Sequence, residues 1–178
     1  MGHYAVTAVG VDRPGIVAAV TGVLADQGWN LEDTSMSVLR GHFAMVMVVS
    51  APDNADVDAT EWALSESAAA LGLVVTVRAV EDLARTGEDG QPWTISVYGA
   101  DHPGIVSAVT TLLADADANI TDLTTRVIGD DDRPVYAMLL EVTFPAGVDG
   151  DKVATRLQVL AAEVGVDCTA QPVDVDIL

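Results

Sequence analysis

The stretch Asp12-Arg13-Pro14-Gly15-Ile16-Val17 returns as Asp101-His102-Pro103-Gly104-Ile105-Val106, and the residues around it return with it. Gly10 has its counterpart in Gly99, an offset of 89. At that offset Ala19-Val20-Thr21 matches Ala108-Val109-Thr110, Leu24-Ala25-Asp26 matches Leu113-Ala114-Asp115, Asn30 matches Asn119 and Asp33 matches Asp122. Further on the offset is 93, where Phe43-Ala44-Met45 pairs with Tyr136-Ala137-Met138, Pro52 with Pro145 and Gly72 with Gly165. A duplication of this period means one supersecondary unit written twice, so any fold must satisfy both copies. With 178 residues in all, the division is into two small domains, residues 1–82 and 93–178. Residues 83–92, which include Gly87, Asp89, Gly90 and Pro92, have the composition of a linker.

Each copy alternates strand and helix patterns in the same order. Tyr4 to Val9 is a short strand-like run that stops at Gly10, and Gly15 to Gln27 places Ile16, Val17, Val20, Val23 and Leu24 on one helical face before Gly28. Asn30 to Leu39 reads as a strand. Arg40-Gly41 turns the chain into His42 to Val49, apolar at nearly every position and therefore suited to a central strand. Val57 to Leu71 is a second helix ended by Gly72, and Leu73 to Val77 a fourth strand. The second copy repeats this, with Gly129 to Pro134 lengthening its hairpin by four residues. Right-handed crossovers turn the order βαββαβ into a four-stranded antiparallel sheet with both helices on one face, the ferredoxin-like α+β arrangement. The bare face of each sheet must then meet a partner: the other copy, or a second chain in a homo-oligomer.

Charge removes several functions. Twenty-seven acidic residues against eight basic ones leave a net charge of −19. Phosphate neutralisation needs Lys and Arg, so direct nucleic-acid binding is excluded, and an anionic membrane surface is disfavoured for the same reason. The single cysteine, Cys168, permits no intrachain disulfide, and its neighbours Asp167 and Thr169 do nothing to activate a thiol. Without a signal segment or a long apolar run, the expected location is the cytoplasm. Asp130-Asp131-Asp132 lacks the alternating spacing of a calcium loop and reads as a solvated hairpin tip. His3, His42 and His102 have no ligand-like spacing, and Trp29, Trp62 and Trp93 read as packing residues. No nucleophile elbow and no phosphate-binding glycine loop is present. The expectation is no catalytic residue, no metal and no cofactor.

The repeated turn admits two readings. Amides at a helix start point outward unpaired and the helix dipole adds positive charge, so a carboxylate fits there. Gly15 and Gly104 carry no Cβ to obstruct it, Asp12 and Asp101 can take an α-amino group, and Asn30 and Asn119 open the next strand near the same end of the unit. Together these would recognise both charged ends of a free amino acid. The other reading is an ordinary helix start, with the Asp as cap acceptor and the Pro in the first turn.

Asp-Arg/His-Pro-Gly-Ile-Val after a short strand, followed by Asn-Leu/Ile-x-Asp opening the next, resembles the ACT domain, and the match covers both halves. A chain of two such domains is similar to the glycine cleavage system transcriptional repressor family. The resemblance implies binding of an amino acid or similar small metabolite at interfaces between ACT units, using the first turn of one unit and the second strand of a neighbour. Carried over, it implicates Asp12, Pro14, Gly15, Ile16, Asn30 and Leu31, with Asp101, Pro103, Gly104, Ile105, Asn119 and Ile120 in the second copy. Arg13 and His102 occupy the one turn position where the copies differ. So acidic a chain would act on transcription or metabolism through a protein partner, a regulated enzyme or a transcription factor. The alternative from another class is a structural or protein-interaction module whose turns merely start helices.

Overall fold

The computed structural model describes residues 1–81, 90–128 and 134–173. It divides into two compact units, Met1–Ala84 and Arg85–Leu178. The greater part of the linker read at 83–92 lies outside the described residues, as do Asp130, Asp131 and Asp132. Gly90, Gln91 and Pro92 prove to be strand.

In the first unit the elements are β1 (Gly2–Val11), α1 (Ile16–Asp26), β2 (Asn30–Leu39), β3 (His42–Ala51), α2 (Val57–Leu71) and β4 (Leu73–Val80). The strands form one antiparallel sheet in the order β2-β3-β1-β4. Helix α1 buries Ile16, Val20 and Leu24 at four-residue spacing, and α2 does the same with Thr60, Leu64 and Ala68. They close over Val6, Ala8, Phe43, Met45, Met47 and Val49 on one face of the sheet. The one polar member of that stripe, Thr60, donates its hydroxyl to Asp56 O at 2.9 Å, so its burial leaves nothing unpaired.

The second unit repeats the plan with β5 (Gly90–Ala100), α3 (Ile105–Ala114), β6 (Asn119–Ile128), β7 (Val135–Pro145), α4 (Gly150–Glu163) and β8 (Val166–Pro172), in the sheet order β6-β7-β5-β8. Ile105, Val109 and Leu113 of α3 and Leu157 and Ala161 of α4 pack on Ile95, Val97, Met138 and Leu140. The tryptophans at positions 29 and 93 are core residues. Trp29 lies against Tyr4 with ring centroids 4.8 Å apart, and Trp93 meets Phe144 edge-on at 5.7 Å. Trp62, by contrast, is exposed on α2.

Two glycines that recur at the ends of the first strands are needed for packing. A Cβ on Gly10 would stand 2.7 Å from Leu73 Cδ2, and one on Gly99 would stand 2.6 Å from Val166 Cγ1. These positions let β4 and β8 close against their neighbours. The helix-free faces stay open: Val9, Val46 and Val74 in the first unit are at least half exposed, and Tyr98 and Leu139 in the second are exposed as well.

Candidate functional site

Among the described residues the four helices start in two different ways. Helix α2 is capped by Asp56, whose carboxylate accepts from Ala59 N–H at 3.0 Å, and α4 by Asp149, which accepts from Lys152 N–H at 3.2 Å. Helices α1 and α3 have no side-chain cap at all. Their N-cap residues are Gly15 and Gly104, in the left-handed region at φ +93° and +104°. Only the fourth amide onward is satisfied inside the helix, by Ala19 N–H to Gly15 O and Ala108 N–H to Gly104 O, each 2.9 Å.

This overturns the reading of Asp12 and Asp101 as caps and of Pro14 and Pro103 as first-turn residues. The left-handed glycine takes the cap position, so the proline precedes the helix and the aspartate falls three residues short of it. Both aspartates are exposed, and neither side chain caps its helix. The glycine has a backbone cause of its own. A Cβ at Gly15 or Gly104 would meet nothing within 4 Å, whereas the positive φ disfavours any other residue.

The turns are anchored from below. Asp12 N–H donates to Gly41 O at 2.9 Å, tying the first turn to the β2–β3 hairpin. In the second unit His102 holds the turn to the end of α4. Its Nε2 lies 2.7 Å from Val164 O, the shorter contact and the one that an Nε2–H tautomer makes by donating, and its Nδ1 lies 3.1 Å from Pro103 O. Sequence reasoning missed this link, since nothing near His102 in the chain points to Val164.

Register separates the remaining candidates. Asn30 and His3 both pair with Ser50, whereas Val11 and Leu39 both pair with His42. Asn30 and Leu31 therefore stand at the opposite end of the sheet from Asp12, Arg13, Pro14 and Gly15, roughly 26 Å away at about 3.3 Å per strand residue. Asn119 and Ile120 are likewise remote from Asp101, His102, Pro103 and Gly104, because Asn119 pairs with Thr143 while Ala100 and Ile128 both pair with Val135. The expectation that the asparagines lie near the turn of their own unit is wrong. A crossover helix brings the chain back to where the first strand began, so β2 starts at the far end. Ile16 and Ile105 are core residues at 2% exposure and can offer a ligand only their amides.

Beneath the second turn is a polar feature that the first lacks. Tyr136 pairs with Gly99 at the end of β5 and is 8% exposed, with its hydroxyl beside that of Thr125. Burial pushes the Tyr136 pKa up; the adjacent Thr125 hydroxyl opposes this and the Asp101 carboxylate adds to it. Phe43 holds the same register position opposite Gly10. The offset that aligns Phe43 with Tyr136 was the available signal for this site. A surface groove of about 450 Å³ elsewhere in the first unit is lined by Gly22 and Thr21 of α1 with Trp29 and Leu31, and contains no turn residue.

The other reactive groups are inert. Cys168 is buried on β8 and burial pushes its thiol up to about 11. Among the described residues no cluster of His, Cys, Asp and Glu could hold a metal, and no helix is long and apolar enough to cross a membrane.

Residues 4–78 and 93–157 each match the ACT domain family. The chain is 28% identical to the glycine cleavage system transcriptional repressor of Escherichia coli over 165 residues, which are 91% of this chain and 86% of the repressor. It is 31% identical over 170 residues to a phosphoserine phosphatase of Mycobacterium tuberculosis, a match that takes in 93% of this chain but 40% of the phosphatase. A crystal structure described as an unknown protein from Galdieria sulphuraria superposes with a TM-score of 0.80 at 30% identity, over 97% of this chain and 98% of that one. The chain belongs to the ACT domain family and carries the domain twice, in tandem.

Proposed function

We propose that the protein is a non-enzymatic cytoplasmic regulator that binds a free amino acid or similar metabolite at its uncapped turns and passes that state to a protein partner. The observation that carries this reading is the contrast between helix starts: α2 and α4 have aspartate caps, while α1 and α3 start on an uncapped glycine, with Asp12 or Asp101 three residues before it. Amides plus a helix dipole suit the ligand's carboxylate, and the neighbouring aspartate suits its ammonium group. The asparagines enter only from a second ACT module. If its β2 or β6 edge runs antiparallel beside the first, the start of one strand comes to the turn end of the other. Both edge strands are exposed along nearly all their length, as such pairing requires.

A ligand held by two modules stabilises one mutual arrangement, and its differential affinity for that arrangement is what a partner can read. With a net charge of −19 the chain is a poor ligand for DNA, so any control of glycine or other amino-acid metabolism at the level of transcription runs through a protein. Similarity to the repressor supports this setting. The test is thermal unfolding of the full chain against a panel of free amino acids. A ligand at 100 times its Kd should add about 2.7 kcal/mol of stability. No shift with any member would leave the second reading, a structural or interaction module whose turns merely start helices and whose acidic surface, at a net charge of −19, docks a basic partner.

A further inference from the structure

The two turns are held in place differently. His102 reaches a residue 62 positions further along the chain, at the end of α4, where its Nε2–H donates to Val164 O at 2.7 Å. Its Nδ1 stands 3.1 Å from Pro103 O, so the ring lies between the end of α4 and the peptide that leads into Gly104. Arg13 holds the same position in the first turn. It is exposed and makes no hydrogen bond or ion pair among the described residues.

The last carbonyls of a helix lack partners within it, and a histidine donor there is favourable. Yet the bond from His102 is not what ends α4. Gly165, at φ +74°, already closes that end by donating its N–H to Ala162 O at 3.3 Å. Helix α2 ends in the same way, with Gly72 at φ +69° donating to Ala69 O at 3.1 Å, and among the described residues no side chain bonds its last carbonyls. The distinctive effect of the His102 bond therefore falls on the turn.

Only Pro103 and Gly104 separate His102 from Ile105, the first residue of α3. Proline fixes its own φ, so the freedom left between the bond and the helix is mainly that of the glycine. A turn that is ordered only when a ligand arrives loses affinity to that ordering, whereas a turn already held does not.

We infer that His102 is a positioning residue: it holds the second turn against the end of α4, so that the uncapped start of α3 is set before a ligand arrives and the second turn is the tighter of the two sites. This rests on the amino-acid-binding role proposed above. The ligand meets the turn, and His102 acts through the backbone beneath it.

The experiment is calorimetric titration of the full chain with glycine, serine and valine, alongside thermal melts, for the wild type, His102→Ala and His102→Gln. Asp12→Ala and Asp101→Ala identify which turn gives which heat. For at least one ligand the wild type should show a tight and a weak class of site, the tight one lost in Asp101→Ala and the weak one in Asp12→Ala. His102→Ala should weaken the tight class about fivefold, the scale of one hydrogen bond, and leave the weak class unchanged. His102→Gln should recover most of that loss, because its carboxamide N–H can still donate to Val164 O. A His102→Ala protein that melts lower but keeps the wild-type Kd would overturn the inference, since the bond would then serve α4 alone. So would His102→Gln binding as weakly as His102→Ala, a single class of site in the wild type, or a tight class lost in Asp12→Ala. In each of those cases amino-acid binding itself would stand. A wild type that takes none of the three ligands would overturn both this inference and the role on which it rests.

Discussion

Helices α2 and α4 begin on Asp56 and Asp149, and each aspartate spends its side chain on an amide of the first turn. Helices α1 and α3 begin on a left-handed glycine, and the aspartate that precedes it spends its side chain on nothing within the helix. Both kinds of start occur in each unit, on helices of 11 and 15 residues in the first and 10 and 14 in the second that pack on the same core. Helix formation therefore does not demand the cap, and the open starts are not a by-product of weak sequence. The difference shows that an aspartate near a helix start is informative only with its backbone: at the cap it is structural, and three residues before a positive-φ glycine it is free for something else.

The sharpest test of that distinction is the glycine. Gly15→Val and Gly104→Val force a β-branched residue to φ near +100° and should each lower stability by about 1–2 kcal/mol in chemical denaturation. Since a Cβ there meets nothing within 4 Å, the loss comes from backbone conformation alone. Unchanged stability would mean that the turn can begin its helix without the left-handed residue, and the contrast between the two kinds of start would lose its cause.

Next in size are the aspartates. Asp56→Ala and Asp149→Ala should each lose about 1 kcal/mol, the usual worth of an N-cap, whereas Asp12→Ala and Asp101→Ala should stay within about 0.5 kcal/mol of the wild type. Equal losses at all four positions would erase the comparison. On the proposed function, Asp12→Ala and Asp101→Ala instead abolish the thermal shift given by a bound amino acid, a readout that the two caps should leave alone.

The sequence conveys the fold almost entirely, because duplication doubles every signal. The bounds of β2 and α2 coincide with the strand and helix patterns read from residues, and the other elements of the first unit differ mainly by a few residues at their ends. The site was less legible, for two separate reasons. One is local: Asp12-Arg13-Pro14-Gly15 contains all the residue types of a capped start, and only the sign of φ at Gly15 decides which residue is the cap. The other is topological. Adjacency along the chain suggested that Asn30 stands by the turn, but βαβ connectivity returns the chain to the strand's beginning. The order βαββαβ already contained that conclusion. Tyr136 was visible too, as the polar half of the Phe43–Tyr136 pair, yet the burial of its side chain is a fact of packing.

The smallest effect separates the two kinds of aspartate by acid. Asp149 has its pKa lowered, first by the side-chain hydrogen bond with Lys152, then by the Lys152 backbone amide. Its Oδ2 lies 3.0 Å from Lys152 Nζ. A carboxylate whose pKa is lower in the folded than in the unfolded chain stabilises the fold above its unfolded value, here 3.8, and the contribution is lost as pH falls through the folded pKa. Helix α4 should therefore hold its start at pH 5 and loosen as the pH drops below about 4. Asp149→Asn, which can still accept a hydrogen bond from Lys152 N–H but carries no charge, should flatten that part of the acid limb. Amide exchange across Gly150–Glu163 measures this helix alone. Protection in α4 that falls with the same acid profile in wild type and Asp149→Asn would show that the charge on the cap contributes nothing. The capped starts would then differ from the open ones by a hydrogen bond only.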